Sequence, residues 1–369
     1  MDVLHICNAY QTNPLYQLLF TQLSRLGVSQ VVIAPGADDG DMMVEGVKIH
    51  RFKRDTSLIG RLLWTRKIRI ISRFTESFVD FKGLGIIHAH TLFSDGTIAY
   101  KLNKKYGVKY AVAVRNTDLN DYFRLPVFRP LGYKVLKHAS RVYLISEANK
   151  LQFLDTLPPN LRTEISHKVK VVPNGINEYW LTHIQPKPRK PKETVSLIYA
   201  GDICHNKNLH NILAAILSDD KNVISSFEAV GLKKHDSSSY VTNLKRMATQ
   251  CDKFSLSPKC TKEELIEKFK EADIYIQPSF TETFGLSYIE ALTQGLPVIY
   301  SKGQGIDGMF EDGQVGYPVD PNSPDDILAK VNLIKNKYEN IVDNISQLDF
   351  RRFKWDAIAV DYLNDYKLI

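Results

Sequence analysis

The sequence predicts an α/β protein built from two Rossmann-like, doubly wound domains, and three observations carry that prediction. Short apolar strands alternate with helical segments along the first half, the pattern of a parallel sheet covered on both faces. The alternation breaks at residues 182–194, "THIQPKPRKPKET". Three prolines and a cluster of charges cannot hold a core element there, so the segment reads as a linker. A second alternating series then begins. The 369 residues suffice for two domains of about 150 residues each, with expected extents 1–180 and 181–354.

The elements follow in order. "DVLHICNA" is a strand, and "PLYQLLFTQLSRLG" places Leu15, Leu18, Leu19, Leu23 and Leu26 at helical spacing. "SQVVIAP", "GIIHAHT", "KYAVAVRN", "RVYLISE" and "KVKVVPNG" continue the first sheet, with helical material between most of them. In the second series "VSLIYAGD" is a strand, "NLHNILAAIL" a helix, and "ISSFEAVGL" and "KFSLSP" are strands. Thr261 and Glu264 form a capping box that opens "TKEELIEKFKEA". "DIYIQPS", "PVIYS" and "VGYPVD" complete the second sheet. A long helix from about Ser323 and the terminal segment "WDAIAVDYLNDYKLI" finish the chain. Ligands of doubly wound sheets collect at the carboxyl ends of the strands, which here predicts two domains facing across a ligand-binding cleft.

Composition narrows the chemistry. Hydrophobic residues make up 44% and charged residues 24%, as in an ordinary globular protein. No apolar run reaches the ~20 residues of a membrane span. The first residues lack the basic start and apolar stretch of a secretory signal, so the expected location is cytoplasmic. Cys7, Cys204, Cys251 and Cys260 form neither a metal-ligand spacing nor a disulfide framework. The net charge of +7 favours an anionic partner. The motifs of nucleic-acid binders are missing, which leaves small anions and membrane surfaces.

Four constellations carry candidate chemistry. The first is "PSFTETFGLSYIEALTQGLPV", residues 278–298, a polar turn between an apolar strand and an apolar helix. Gly285 lets backbone approach a ligand, and the following helix start is an anion site. Glu282 lies before the helix and Glu290 inside it, about 80° round and ~12 Å along the axis. That separation is too long for one acid/base pair and suits two grips on one extended ligand; a capping glutamate plus a surface glutamate is the structural alternative. The second is "YAGDICHNKNLHNIL", where Gly201 ends a strand and a loop with His205, Asn206 and Lys207 precedes a helix. Backbone N–H groups and one ammonium suit a diphosphate, though an ordinary exposed lysine fits the spacing equally. No GxxxxGK[ST] loop occurs, and no GxGxxG follows the first strand, so a dinucleotide dehydrogenase is not expected.

The third constellation lies at two strand ends of the first domain. His88 and His90 share one strand face with the spacing of a two-histidine metal half-site, and no third ligand is visible in the sequence. His90 therefore reads as a cleft residue and no metal is expected. Arg115, Asn116 and Asp118 follow the next strand, placed for hydroxyl or phosphate recognition or for turn capping. The fourth is the basic segment 51–74, in which Arg51, Lys53, Arg54, Arg61, Arg66, Lys67, Arg69 and Arg73 interleave with Leu62, Leu63, Trp64, Ile68, Ile71 and Phe74. A basic amphipathic helix with a tryptophan suits a membrane interface; a domain helix with a solvated basic face is the alternative.

Taken together the chain resembles the retaining glycosyltransferases of family 4, which have the GT-B fold. The match runs over nearly the whole sequence. Glu282, seven residues and Glu290 resemble the family's E-x7-E signature, with "FGLSYIEA" between and "GLPVI" behind. "VYLISE", "VPNGI", "AGDICHNKN" and "FKWDAIAVDYL" follow in the family's order. The resemblance implies a nucleotide-sugar donor, UDP- or GDP-linked, held mainly by the second domain, and no separate cofactor. Glu282 would hold the sugar hydroxyls, and the backbone of Phe284, Gly285 and Leu286 would line sugar and phosphates. Glu290 would take the ribose and Lys207 the diphosphate, with Gly201, Asp202 and Asn206 in the same loop. The acceptor, a glycan or lipid-linked sugar as in bacterial surface-polysaccharide assembly, would sit on the first domain near His90, Arg115, Asn116 and Asp118. Helix 355–369 would pack back on that domain. Three departures stand out: Asp202 where members often carry arginine, "YQTNPLY" in place of a Gly-Gly loop, and Arg115 where a histidine is common. A nucleotide-sugar epimerase of the same architecture and a non-catalytic partner in a polysaccharide assembly complex are the competing readings.

Overall fold

The computed structural model describes residues 1–36, 40–53, 64–185, 193–234 and 236–369. The chain divides into two compact units. Residues Met1–Ile145, Lys150–Gly175 and Phe353–Ile369 form the first, and Ser146–Asn149 with Ile176–Arg352 form the second. Residues 176–180 thus group with the second unit, five residues earlier than the linker pattern indicated. The linker residues 186–192 lie outside the described residues.

The first unit is built on β1 (Asp2–Ile6), α1 (Leu15–Arg25), β2 (Ser29–Gly36), β3 (Gly40–Val44), β4 (Val47–Lys53), α2 (Trp64–Phe78), β5 (Ile86–Ala89), α3 (Ser94–Tyr106), β6 (Tyr110–Ala113), α4 (Arg129–His138), β7 (Arg141–Leu144), α5 (Glu147–Asp155), α6 (Pro159–Ile165) and β8 (Val169–Val171). Its sheet runs β3-β4-β2-β1-β5-β6-β7-β8. The pairs are parallel except β3 with β4, a hairpin closed by Glu45 and Gly46 at φ 47° and 82°, as a tight two-residue turn needs. One face buries Leu4, Ile6, Ile87, Ala89 and Val112 against Ile68, Ile71, Ile98 and Leu136. The other buries Val3, Cys7, Val32 and Ala111 against Leu19, Phe20 and Leu23.

Within α1 the buried side chains are Tyr16, Leu19, Phe20 and Leu23. Leu18 and Leu26, placed on the apolar stripe by spacing alone, are exposed, because the aromatic pair turns the stripe by about one residue. The basic segment is also corrected. Arg51–Lys53 end strand β4 and so are not helical, residues 54–63 lie outside the described residues, and among the described residues the helix covers Trp64–Phe78.

The second unit opens with α7 (Glu178–Thr182) and continues through β9 (Val195–Ala200), α8 (Leu209–Leu217), β10 (Ile224–Leu232), α9 (Ser239–Ala248), β11 (Phe254–Pro258), α10 (Lys262–Glu271), β12 (Ile274–Gln277), α11 (Leu286–Thr293), β13 (Val298–Ser301), β14 (Gly316–Val319), α12 (Pro324–Asn336) and α13 (Tyr338–Ser346). All its strand pairs are parallel, in the order β11-β10-β9-β12-β13-β14. The capping box is present: Thr261 Oγ1 accepts from the Glu264 amide at 3.2 Å, and Glu264 returns the bond at 2.8 Å. The long helix expected from Ser323 is two helices, parted at Lys337. Helix α14 (Trp355–Leu368) belongs to the first unit. There it rests on α1, and its Asp365 accepts from Arg141 and the Tyr143 hydroxyl at 2.9 and 2.7 Å. Among the described residues no helix is long and apolar enough to cross a membrane.

Candidate active site

In the second unit the strand order reverses between β9 and β12, and ligand sites of such sheets form at the carboxyl ends beside that reversal. The loop after β9 carries Gly201 to Lys207, and the loop after β12 carries Pro278 to Gly285. Asn206 fastens the two loops. Its Nδ2 donates to the Thr281 carbonyl at 2.8 Å, its Oδ1 accepts from the Thr281 amide at 3.0 Å, and its carbonyl accepts from the Phe280 amide at 2.9 Å. Both ends of that side chain are therefore committed to protein. Asn208 takes the left-handed conformation at φ 60° and donates to the Pro278 and Pro321 carbonyls, so it is the single residue between Lys207 and the start of α8 at Leu209.

This scaffold brings Lys207 against Glu282, 2.6 Å between Nζ and Oε2, with side chains 21% and 14% exposed. Gln277, buried at the end of β12, donates from Nε2 to the same Glu282 oxygen at 2.8 Å. Its amide cannot flip without loss, because Oε1 already accepts from the Tyr275 hydroxyl at 2.7 Å and from Ser287 at 3.0 Å. The backbone of Glu282 is fixed as well: its amide donates to Gln304 Oε1 at 2.9 Å, and its carbonyl accepts from the Gly305 amide at 2.9 Å. Glu282 is thus a carboxylate with a set direction, oriented by side chains far from it in sequence.

Behind it stands the start of α11. Gly285 caps the helix at φ 76° with no side-chain cap, and a Cβ there would lie 2.4 Å from the Tyr288 ring. Only glycine fits. The first-turn N–H groups keep the dipole end that favours an anion. The Phe284 side chain is buried, so only its backbone is available to a ligand. Glu290 lies one turn into the helix, and burial pushes its carboxyl up to about 7 against smaller downward pulls from Lys262 and Trp180. Asp202 is exposed and stands 3.7 Å from Lys233 at the end of β10, so a second cation lies beside the position where the family arginine is missing.

The first unit holds the remaining candidates. Asp118 is buried and accepts from the backbone amides of Leu92, Phe93 and Arg115 at 3.0, 3.2 and 2.8 Å. Burial nevertheless raises its carboxyl to about 6. Arg115 reaches the His90 carbonyl at 3.4 Å, and exposed Asn116 accepts from Asn120. His90 is fully buried, and the third histidine invisible in the sequence is His5, paired across the sheet with His88. The Gln30 amide donates to the Phe20 carbonyl and to Ser24, so its Oε1 accepts from His5 Nε2 at 3.1 Å. His5 Nδ1 then accepts from His90 Nε2, also at 3.1 Å. Burial holds all three imidazoles neutral, with the Arg115 charge adding to the effect at His88 and His90. Among the described residues no carboxylate joins the three rings, so a divalent ion would find no charge compensation beside that guanidinium. The cluster reads as a hydrogen-bonded core network.

Sequence reasoning passed over Gln277, Gln304, Ser287, Lys233 and His5. Two signals were available: a polar residue closing the apolar run "DIYIQ", and the glycine-flanked glutamine of "KGQG" after the next strand.

Residues 17–179 match the family described as Glycosyltransferase Family 4, and residues 182–347 match that described as Glycosyl transferases group 1. The uncharacterized glycosyltransferase MJ1607 of Methanocaldococcus jannaschii is 32% identical over 103 residues, 27% of this chain and 26% of its own. The D-inositol 3-phosphate glycosyltransferase of Streptomyces scabiei is 25% identical over 264 residues, 65% of this chain and 57% of its own. The O-antigen chain mannosyltransferase B of Escherichia coli is 29% identical over 109 residues, 29% of this chain and 28% of its own. The chain spans less than two thirds of each of these curated relatives. Among solved structures, sucrose-phosphate synthase from Thermosynechococcus elongatus superposes with a TM-score of 0.73 at 15% identity, covering 100% of this chain and 98% of its own. Anabaena HepE in complex with UDP-glucose gives 0.66 at 14% identity, with full coverage of both chains. These likenesses establish the two-domain GT-B fold.

Proposed function

We propose that this GT-B chain, whose residues 17–179 match the Glycosyltransferase Family 4 model and residues 182–347 the Glycosyl transferases group 1 model, is a retaining, metal-independent glycosyltransferase. It moves a hexose from a UDP- or GDP-sugar to a hydroxyl of a glycan or lipid-linked acceptor, in assembly of a bacterial surface polysaccharide at the cytoplasmic face of the membrane. The observation that carries the reading is the Lys207–Glu282–Gln277 constellation beside the uncapped start of α11.

In this reading Lys207 turns from Glu282 to the diphosphate when donor binds. The α11 N–H groups meet the same phosphates, so charge developing on the leaving group falls on preset dipoles and one ammonium. Glu282, held by Gln277, accepts from the sugar hydroxyls, and Glu290 accepts from the ribose. Lys233 is near enough to Asp202 to supply the missing cation. On the first unit Arg115 and Asn116 are the residues offered to the acceptor, while Asp118 and His90 support the loops that carry them.

The bond from the anomeric carbon to the leaving phosphate oxygen breaks as the acceptor oxygen attacks from the same face, and the hydroxyl proton passes to the departing diphosphate. With Lys207 turned to the diphosphate, Gln277 still donates to Glu282 Oε2, an arrangement for orientation and not for covalent attack. Incubation with a panel of nucleotide sugars tests the donor assignment. One of them should raise the melting temperature, by ~2.7 kcal/mol of stabilisation at a hundredfold excess over its dissociation constant, and Glu282→Ala and Lys207→Ala should weaken that response. Donor consumed without acceptor would indicate an epimerase, and donor bound but never consumed a binding partner.

A further inference from the structure

We propose that the first unit carries a docking surface for an anionic phospholipid bilayer, formed by the solvent face of α2 and the rigid turn Arg124–Arg129. Helix α2 buries Ile68, Ile71, Ser72 and Thr75. At 100° per residue its opposite face presents Arg66, Arg69, Ile70 and Arg73, all exposed, with Ile70 at 54%. The one acid on the helix, Glu76, is turned to Lys105 at 2.8 Å, and among the described residues none of the three arginines has an ion-pair partner. Such a face is basic with an apolar side chain at its centre, a composition suited to lipid headgroups.

The second half of the surface was not visible as a motif. Leu125 is 51% and Val127 79% exposed, and Arg124 and Arg129 flank them. Backbone bonds from Leu125 to Tyr122, Phe128 to Leu125 and Arg129 to Pro126 hold the turn, and Arg129 Nε donates to the Phe123 carbonyl at 2.8 Å. The two apolar side chains are therefore presented outward by a braced turn, with exposed Asp121 as the opposing charge nearby in sequence. The Trp64 and Phe128 rings meet edge-on at 5.8 Å, which joins the turn to the start of α2. Five arginines around exposed aliphatic side chains match an anionic, apolar-cored surface better than water or a neutral one. The turn follows directly on Asp118–Tyr122, so docking would bring the carboxyl end of β6, with Arg115, to the bilayer.

This inference stands without the proposed chemistry, because bilayer binding needs no donor. Flotation of the full chain with vesicles of phosphatidylcholine alone, and of phosphatidylcholine mixed with phosphatidylglycerol, tests it. The chain is expected to float only with the anionic vesicles and to be released by added salt. Each basic side chain at the surface contributes about fivefold to partitioning, so the triple variant Arg66→Gln, Arg69→Gln, Arg73→Gln should lose about a hundredfold. Leu125→Ser with Val127→Ser should also weaken binding while keeping its salt dependence. Both variants should keep the wild-type melting temperature and its donor-induced shift. A wild-type chain that ignores anionic vesicles, or variants that float as well as wild type, overturns the inference.

Discussion

Glu282 owes its direction to Gln277, whose amide is held in one orientation by Tyr275 and Ser287. Gln277→Leu keeps the volume and removes the bond, so the carboxylate gains freedom at a cost of about 1–3 kcal/mol. Transfer should fall in kcat by about tenfold or more with the donor KM little changed; an unchanged kcat would show that Glu282 needs no such brace. Glu290 makes a pH prediction. Its folded carboxyl titrates at about 7, above the ~4.3 of an unfolded chain. A raised acid holds its proton more tightly when folded, so its contribution to stability is full below about pH 4.3 and is lost as the pH rises through about 7. Glu290→Gln removes that loss and should gain on wild type by on the order of 3 kcal/mol between about pH 4 and pH 8, read by urea unfolding. A constant gap between the two proteins would contradict it. Glu282, Lys207 and Glu290 could be named as candidates because motif spacing within one loop or helix start marks them. Gln277 and His5 were not, since their partners come from other elements: His5 lies on β1 and His88 on β5, joined only by sheet pairing.

At the scale of elements the tightest constraint is the turn into α11. Gly285→Ala meets both the left-handed φ of 76° and a contact of 2.4 Å with Tyr288, and it should cost about 2–4 kcal/mol. Because the strain falls on the helix mouth, donor binding should suffer along with the melting temperature. A variant that melts normally and binds donor normally would show that the mouth relaxes freely. The strand–helix alternation of both units and the Thr261 capping box were legible because their signals are local. The β3–β4 hairpin was not: Met42 and Met43 are adjacent and both exposed on an edge strand, so no alternation marks it, and only the Glu45-Gly46 pair hinted at a turn. The α1 stripe was misplaced for a related reason, since Tyr16 and Phe20 bury more surface than Leu18 and Leu26 and decide which face turns inward.

For the whole molecule, sequence order and the ordered motifs were enough to read two doubly wound units, because a parallel sheet obliges each strand to be followed by a crossover. The return of α14 to the first unit was an expectation from resemblance alone, and the structure gives it physical content in the buried Asp365 pair with Arg141 and Tyr143. What the sugar, nucleotide and acceptor are depends on shapes that spacing does not encode. The central claim is same-face transfer from a donor gripped by Lys207 and Glu282, and proton NMR of the first-formed product tests it most directly. From an α-linked nucleotide sugar the wild-type chain should release an α-glycoside, with Glu282→Ala and Lys207→Ala slowed at least a hundredfold while still folded. A β-glycoside, or undiminished transfer by Glu282→Ala, would contradict the account.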